Sequence, residues 1–127
     1  MDAACPYALY MGRLAPNSQR SIASQLNSIA AMLDWPEHER QERFHHIDYQ
    51  QASHIKAMLL SKGWSARSIN RAMTAIRNIV KVAVMTGIAP EAQVIQLQAI
   101  TNTVAQDNTA YQYVTSTIVL VLDLAWV

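Results

Sequence analysis

Between residues 18 and 98, apolar positions recur at intervals of three and four, the period of helices that bury one face. The first such stripe is Ile22, Leu26, Ile29, Ala30 and Leu33, with Arg20, Ser21, Ser24, Asn27 and Ser28 lying off it. Asn17 or Ser18 is expected to cap this helix, and Asp34-Trp35-Pro36 to end it after about Leu33. Ahead of it, Pro6 to Leu14 has the makings of a short amphipathic turn or two, with Tyr7, Leu9, Tyr10, Met11 and Leu14 available for packing. Glu37 to Ile47 reads as a charged connection. A second helix is expected from Asp48 or Tyr49 to Gly63, with Ala52, Ile55, Met58 and Leu59 inward and Gly63 supplying the left-handed closing residue.

The pattern is clearest after Trp64. Ser65 is placed to cap a helix that runs to about Thr86 and closes at Gly87. Its inner stripe is Ile69, Ala72/Met73, Ile76, Ile79/Val80 and Ala83/Val84. Ala89-Pro90-Glu91 then opens a short last helix, with Pro expected at the first helical position and Val94, Ile95 and Leu97 inward. Ala99 to Ala110 is polar and reads as loop. Tyr111 to Val127 is rich in β-branched residues, and a strand, a frayed helix and a disordered hydrophobic end all stay open for it. The expected fold is therefore all-α, a four-helix domain over residues 1–100 followed by a divergent tail, 101–127. Because the core stripes are complete before Ala99, the body is expected to fold without that tail.

Composition agrees with one domain. The chain has 127 residues, 51% of them hydrophobic and 15% charged, too apolar for a disordered chain and enough to bury a core. Three Gly and four Pro leave little turn chemistry for a many-stranded β fold. A lone Cys5 excludes an intramolecular disulfide framework and a Cys-based zinc site. No basic-then-apolar leader opens the chain, so a cytoplasmic location is expected. The longest apolar run, Ile118 to Val127, is broken by Asp123 and is about half of the ~20 residues that span a bilayer, so no membrane role is expected.

Charge becomes informative once it is divided along the chain. The net value is +1, yet residues 13–98 hold all ten Lys and Arg against six acids. From Ala99 onward there are two acids and no base. Opposite the apolar stripe of the 65–86 helix sit Arg67, Asn70/Arg71, Thr74, Arg77/Asn78 and Lys81, four bases with no acid on the helix to pair with them. Such a face suits duplex DNA, because Arg and Lys meet phosphates while Arg and Asn can read base edges. The plainer reading is a solvated helix face. Gln19, Arg20, Ser21 and Ser24 offer a second polar surface, although serines at a helix start are more often caps than phosphate ligands.

Other chemistry is not indicated. His45 and His46 are adjacent and point in different directions, and His38 and His54 are distant, so no helical His-x-x-x-His pair exists for zinc. Glu37, Glu39 and Glu42 alternate with Arg40 and Arg43 as a self-neutralising solvated segment. No Gly-rich phosphate loop or activated nucleophile is recognisable, and Met58, Met73 and Met85 read as core filling. No cofactor, metal, small-molecule substrate or catalytic residue is expected.

One family shares this order of signals. It runs from Asn17-Ser18-Gln19-Arg20-Ser21, Leu26 and Ile29-Ala30, through Ile47-Asp48-Tyr49 and Lys62-Gly63. It continues with Trp64-Ser65-Ala66-Arg67-Ser68-Ile69-Asn70-Arg71, Ala75-Ile76-Arg77, Val80, Ala83 and Gly87-Ile88. Over about residues 5–100 the chain resembles the core-binding (SAM-like) domain of tyrosine recombinases, the phage-integrase group. The resemblance implies an all-α jaw of a C-shaped clamp around recombination-site DNA, with the 18–33 and 65–86 helices toward the major groove. It implies DNA contacts from Gln19, Arg20, Ser65, Arg67, Asn70, Arg71, Thr74, Arg77 and Lys81, and recombinase protomers as candidate protein partners. That family's chemistry lies in a separate C-terminal domain with Arg, Lys, His and a nucleophilic Tyr. Tyr111 and Tyr113 lack that Arg-His context, and the tail departs from the family's usual linker in the way a truncation or frameshift would leave it. The expected function is thus double-stranded DNA binding in integration and recombination, without catalysis by this chain alone. The alternative is a helical protein-interaction module with a solvated basic face.

Overall fold

Proline and glycine set most of the element boundaries. A computed structural model of the protein describes residues 5–100, so the expectations for 101–127 lie outside the described residues. These residues form six α-helices and two 3₁₀ turns, with no strand among them. Pro6 starts α1 (Pro6–Met11) and Pro16 starts α2 (Pro16–Met32). At the first helical position proline's fixed φ fits and its missing N–H costs nothing. Ala15 is therefore the N-cap of α2, without a side-chain cap, and Asn17 and Ser18 lie inside the first turn instead of capping it.

α3 (Arg40–Arg43) is a single turn between 3₁₀ turns at Glu37–Glu39 and Phe44–His46. The Asp48 carboxylate then accepts from the Gln51 amide at 2.8 Å to cap α4 (Tyr49–Ser61). In α5 (Ala66–Met85), Ser65 Oγ accepts from the Ser68 amide at 3.1 Å. α6 spans Glu91–Gln98, and Pro90, extended at ψ 149°, is its N-cap, so Glu91 takes the first helical position expected for the proline.

Three helices close alike. After α2, α4 and α5 the chain turns left-handed at Asp34 (φ 58°), Gly63 (φ 84°) and Gly87 (φ 79°). The next amide then reaches back over the last turn: Trp35 to the Ala30 carbonyl, Trp64 to Leu59 and Ile88 to Ala83, at 2.8–3.1 Å. This is the Schellman arrangement, which satisfies carbonyls that a helix end would otherwise leave open.

α5 is the hub of the packing, touching α1, α2, α4, α6 and the Phe44–His46 turn. Ile69, Ala72, Met73, Ile76, Ile79, Val80 and Ala83 are buried as the periodicity predicts. Ala75 and Val82 are buried as well, widening the inner face to about half the helix circumference at ~100° per residue. In α6, Val94 and Leu97 face the core, whereas Ile95 is 61% exposed because it sits about 100° off that stripe.

The 37–47 connection is only partly the solvated segment its charges suggest. Phe44, His45 and Ile47 are buried. Phe44 lies between Tyr7 (centroids 5.6 Å apart, 27°) and the edge of Trp35 (5.0 Å, 69°). The Gln93 amide on α6 donates at 2.8 Å to both the His45 and Ile47 carbonyls, so the segment is fixed from two sides. Among the described residues, no helix is long and apolar enough to cross a membrane.

His45 is 2% exposed, and among the described residues its Nδ1 has no hydrogen-bond partner. Burial, helped by the neighbouring His46 and opposed by Glu42, pushes its pKa below the ordinary histidine value. The unfolded chain then binds the proton more readily, so stability is complete above the unfolded value of ~6.5 and falls as pH drops below it. Urea midpoints should decline between pH 7.5 and 5.5, and His45→Leu should flatten that decline. An unchanged slope in the variant would contradict this assignment.

Candidate nucleic-acid interface

From Arg67 to Lys81 the outward half of α5 is polar, whereas Met85 at its C-terminal end, expected from the sequence to fill the core, is 67% exposed. Arg67, Arg71 and Lys81 are exposed, while Asn70, Thr74, Arg77 and Asn78 are half-buried. Arg71, Asn78, Arg67, Thr74 and Lys81 occupy roughly 80° of the circumference, and Asn70 and Arg77 continue the arc toward α4 and α6. No acid lies on α5, and Glu39 pairs away from it, with His38 at 3.4 Å and Arg43 at 2.7 Å. The Arg43 guanidinium holds the Glu39 carboxyl below its usual range. Among the described residues, none of the four α5 cations forms an ion pair with a carboxylate.

Two of those neutral groups tie α5 to α2. Arg71 Nη2 donates to Ser21 Oγ at 2.6 Å, and one turn away Gln25 Nε2 donates to the Ser68 carbonyl at 3.4 Å. The Ser21 side of α2 thus lies beside the Arg71 side of α5. Ser24, Gln25 and Ser28 face Trp64 and Ser68 across a shallow groove between the two helices. The two polar surfaces seen in the sequence are neighbours.

The remaining predicted residues have more local settings. Gln19 Nε2 donates to the Met11 carbonyl at 2.7 Å and to Leu14 at 3.3 Å, fastening the α1–α2 turn. Ser65 caps α5, its hydroxyl also donating to Ser68 Oγ at 3.1 Å. Arg20 is exposed and bonds Asn17 Oδ1 on its own helix. Arg77 Nη2 donates to Thr74 Oγ1 at 3.5 Å. Asn70 and Arg77 border a recess of about 10 Å³ with Met73, Ile76, Leu97 and Ile100, room for about one water.

From the sequence Ser21 is only a helix-surface residue, because a hydrogen bond across 50 positions leaves no local signal. Arg40 is likewise different from its sequence setting. It bonds the Trp35 carbonyl and Asn27 rather than a neighbouring glutamate. Among the described residues, no three His, Cys, Asp or Glu side chains gather in a way that could hold a metal ion.

Compared with known proteins, the chain matches no family model, no curated protein and no solved structure.

The geometry separates fastening residues from displayed ones. Gln19→Ala removes the side-chain donor to the Leu14 carbonyl and one of two donors to the Met11 carbonyl, which keeps the Leu14 amide, and should lower stability by about 1–2 kcal/mol. Arg67→Ala and Lys81→Ala, at exposed positions, should each stay within about 0.5 kcal/mol. Urea denaturation of the three variants checks the contrast, and equal losses at all three would refute it.

Proposed function

We propose that this chain is a DNA-binding domain that grips duplex DNA with the outward half of α5 and the adjoining ridge of α2, in the manner of the recombinase core-binding jaw it resembles. One observation carries the reading. Arg67, Arg71, Arg77 and Lys81 stand on the outer half of α5 with no carboxylate paired to them among the described residues, and Arg71 joins that face to α2 through Ser21.

From residue 67 to residue 81 the bases extend along roughly 21 Å of helix at ~1.5 Å per residue. That is a length over which a helix in the ~12 Å wide major groove meets several phosphates. Lys81, Arg67 and Arg71 supply phosphate contacts. Asn78, beside Arg71 toward one edge of the arc, and Asn70 toward the other carry amides that can pair with an adenine edge. Gln19 and Ser65 support the face through the turns they hold. Catalysis is assigned to no residue of this chain, and binding by the isolated domain is expected near the non-specific range of ~10⁻⁴–10⁻⁶ M at physiological salt.

Fluorescence-anisotropy titration of a duplex at two salt concentrations tests the reading. The wild type should weaken steeply as salt rises. Arg67→Ala/Lys81→Ala should bind every sequence more weakly and lower the salt slope by about two, one unit per lost phosphate contact. Equal binding by both proteins, or none at low salt, would instead leave a protein-interaction module with a solvated basic face.

A further inference from the structure

An open groove lies on the flank of α2 turned away from its Ser21 and Gln25 contacts with α5. It measures about 500 Å³ and runs between α2 and the Glu37–Phe44 segment. Arg20 and Asn27 line it from α2, Glu37 and Arg40 from the opposite segment, and Tyr7 and Phe44 give it an apolar part. Two guanidinium groups therefore border one concave space.

Among the described residues, neither guanidinium meets a carboxylate. Arg40 Nε donates to the Trp35 carbonyl at 3.2 Å and Nη1 to Asn27 Oδ1 at 2.7 Å, both uncharged acceptors. Arg20 is held by Asn17 Oδ1, also uncharged. Glu39 is engaged by Arg43 and His38, and Glu37 forms no ion pair among the described residues. Arginine has five N–H donors in a rigid fork, so Arg40 is fixed by two and keeps three for a ligand. A fixed, unneutralised guanidinium in a groove suits an oxygen anion, which it can meet with two parallel bonds. Burial pushes the Tyr7 hydroxyl above its usual pKa, so this phenol on the same groove stays protonated.

We propose that the groove is an oxyanion site in which Arg20 and Arg40 hold a phosphodiester of the DNA backbone. The source of the anion rests on the DNA reading above; the site itself does not. A duplex lying across α5 and the polar ridge of α2 carries its phosphates past both flanks of that ridge. One flank faces α5, and the other opens into this groove. Glu37 is the opposing charge in the groove, and it limits affinity there.

The test uses arginine side-chain Nε–Hε resonances of the full chain, titrated with inorganic phosphate and separately with a duplex, beside anisotropy of four proteins. These are wild type, Arg20→Ala, Arg40→Lys and Glu37→Gln. Arg40→Lys is chosen over Arg40→Ala because Arg40 braces Trp35 and Asn27, and Arg20→Ala at an exposed position keeps the test valid should Arg40→Lys perturb folding.

Saturable shifts of Arg20 and Arg40 with both ligands are expected. Arg20→Ala should lower the salt slope by about 0.9, the value for one phosphate. Arg40→Lys should weaken duplex binding, and Glu37→Gln should strengthen it about 2- to 5-fold, as for the loss of one exposed like charge. Shifts with phosphate but no duplex binding would uphold the oxyanion site and refute the DNA reading. Duplex binding that depends on Arg67 and Lys81, with Arg20 and Arg40 resonances unmoved and all three slopes unchanged, would overturn the site while leaving that reading intact.

Discussion

Half of α5's circumference is apolar and buried, and this fixes the rotation of the helix about its own axis. Ile69, Ala72, Ala75, Ile76, Ile79, Val80 and Ala83 are each at most 1% exposed. Burying one large aliphatic side chain is worth about 1.5–3 kcal/mol. A rotation by one residue, ~100°, would move several of these into water and drive Arg71 toward the core, where an unpaired charge is far more costly. The basic arc faces outward because the opposite arc has no alternative. Every neighbour of α5 then takes its place against the buried half: α1, α2, α4, α6 and the Phe44–His46 turn.

The connection between α2 and α4 has a second organising role. Phe44 is held between Tyr7 and Trp35, and Gln93 secures the carbonyls of His45 and Ile47. With both ends anchored, the intervening turn brings Arg40 within reach of Asn27 and forms the far wall of the α2 groove. One short connection thus sets aromatic anchors against the body and places a guanidinium group at the wall of the groove.

The parts of this fold that could be read from the chain are those written in local chemistry. Asp48 with Gly63 and Ser65 with Gly87 bound α4 and α5 because a cap and a left-handed glycine act within one turn. The polar arc of α5 was readable for the same reason, since 3.6 periodicity separates its two faces. What escaped depends on distant partners. Ala75 and Val82 are buried although they lie beside, not on, the predicted stripe, and a helix packed on several sides buries a wider arc than its periodicity marks. Phe44, His45 and Ile47 are buried anchors inside a run of charges too short to show a period. The start of α2 followed Pro16 rather than the adjacent Asn17 and Ser18, since both signals were present and the proline took the first helical position. The Arg71–Ser21 bond and the Arg40 setting join residues 50 and 13 positions apart, beyond any local pattern.

A map of backbone amide shifts on adding duplex DNA, recorded on the uniformly labelled chain, tests the central claim most directly. The account predicts saturable changes from Arg67 to Lys81 on the outward side of α5 and from Arg20 to Ser28 on α2. The outer face of α4, from Tyr49 to Leu60, should stay unperturbed. Changes centred on α4 or α6, or none at all at low salt and excess duplex, would contradict it.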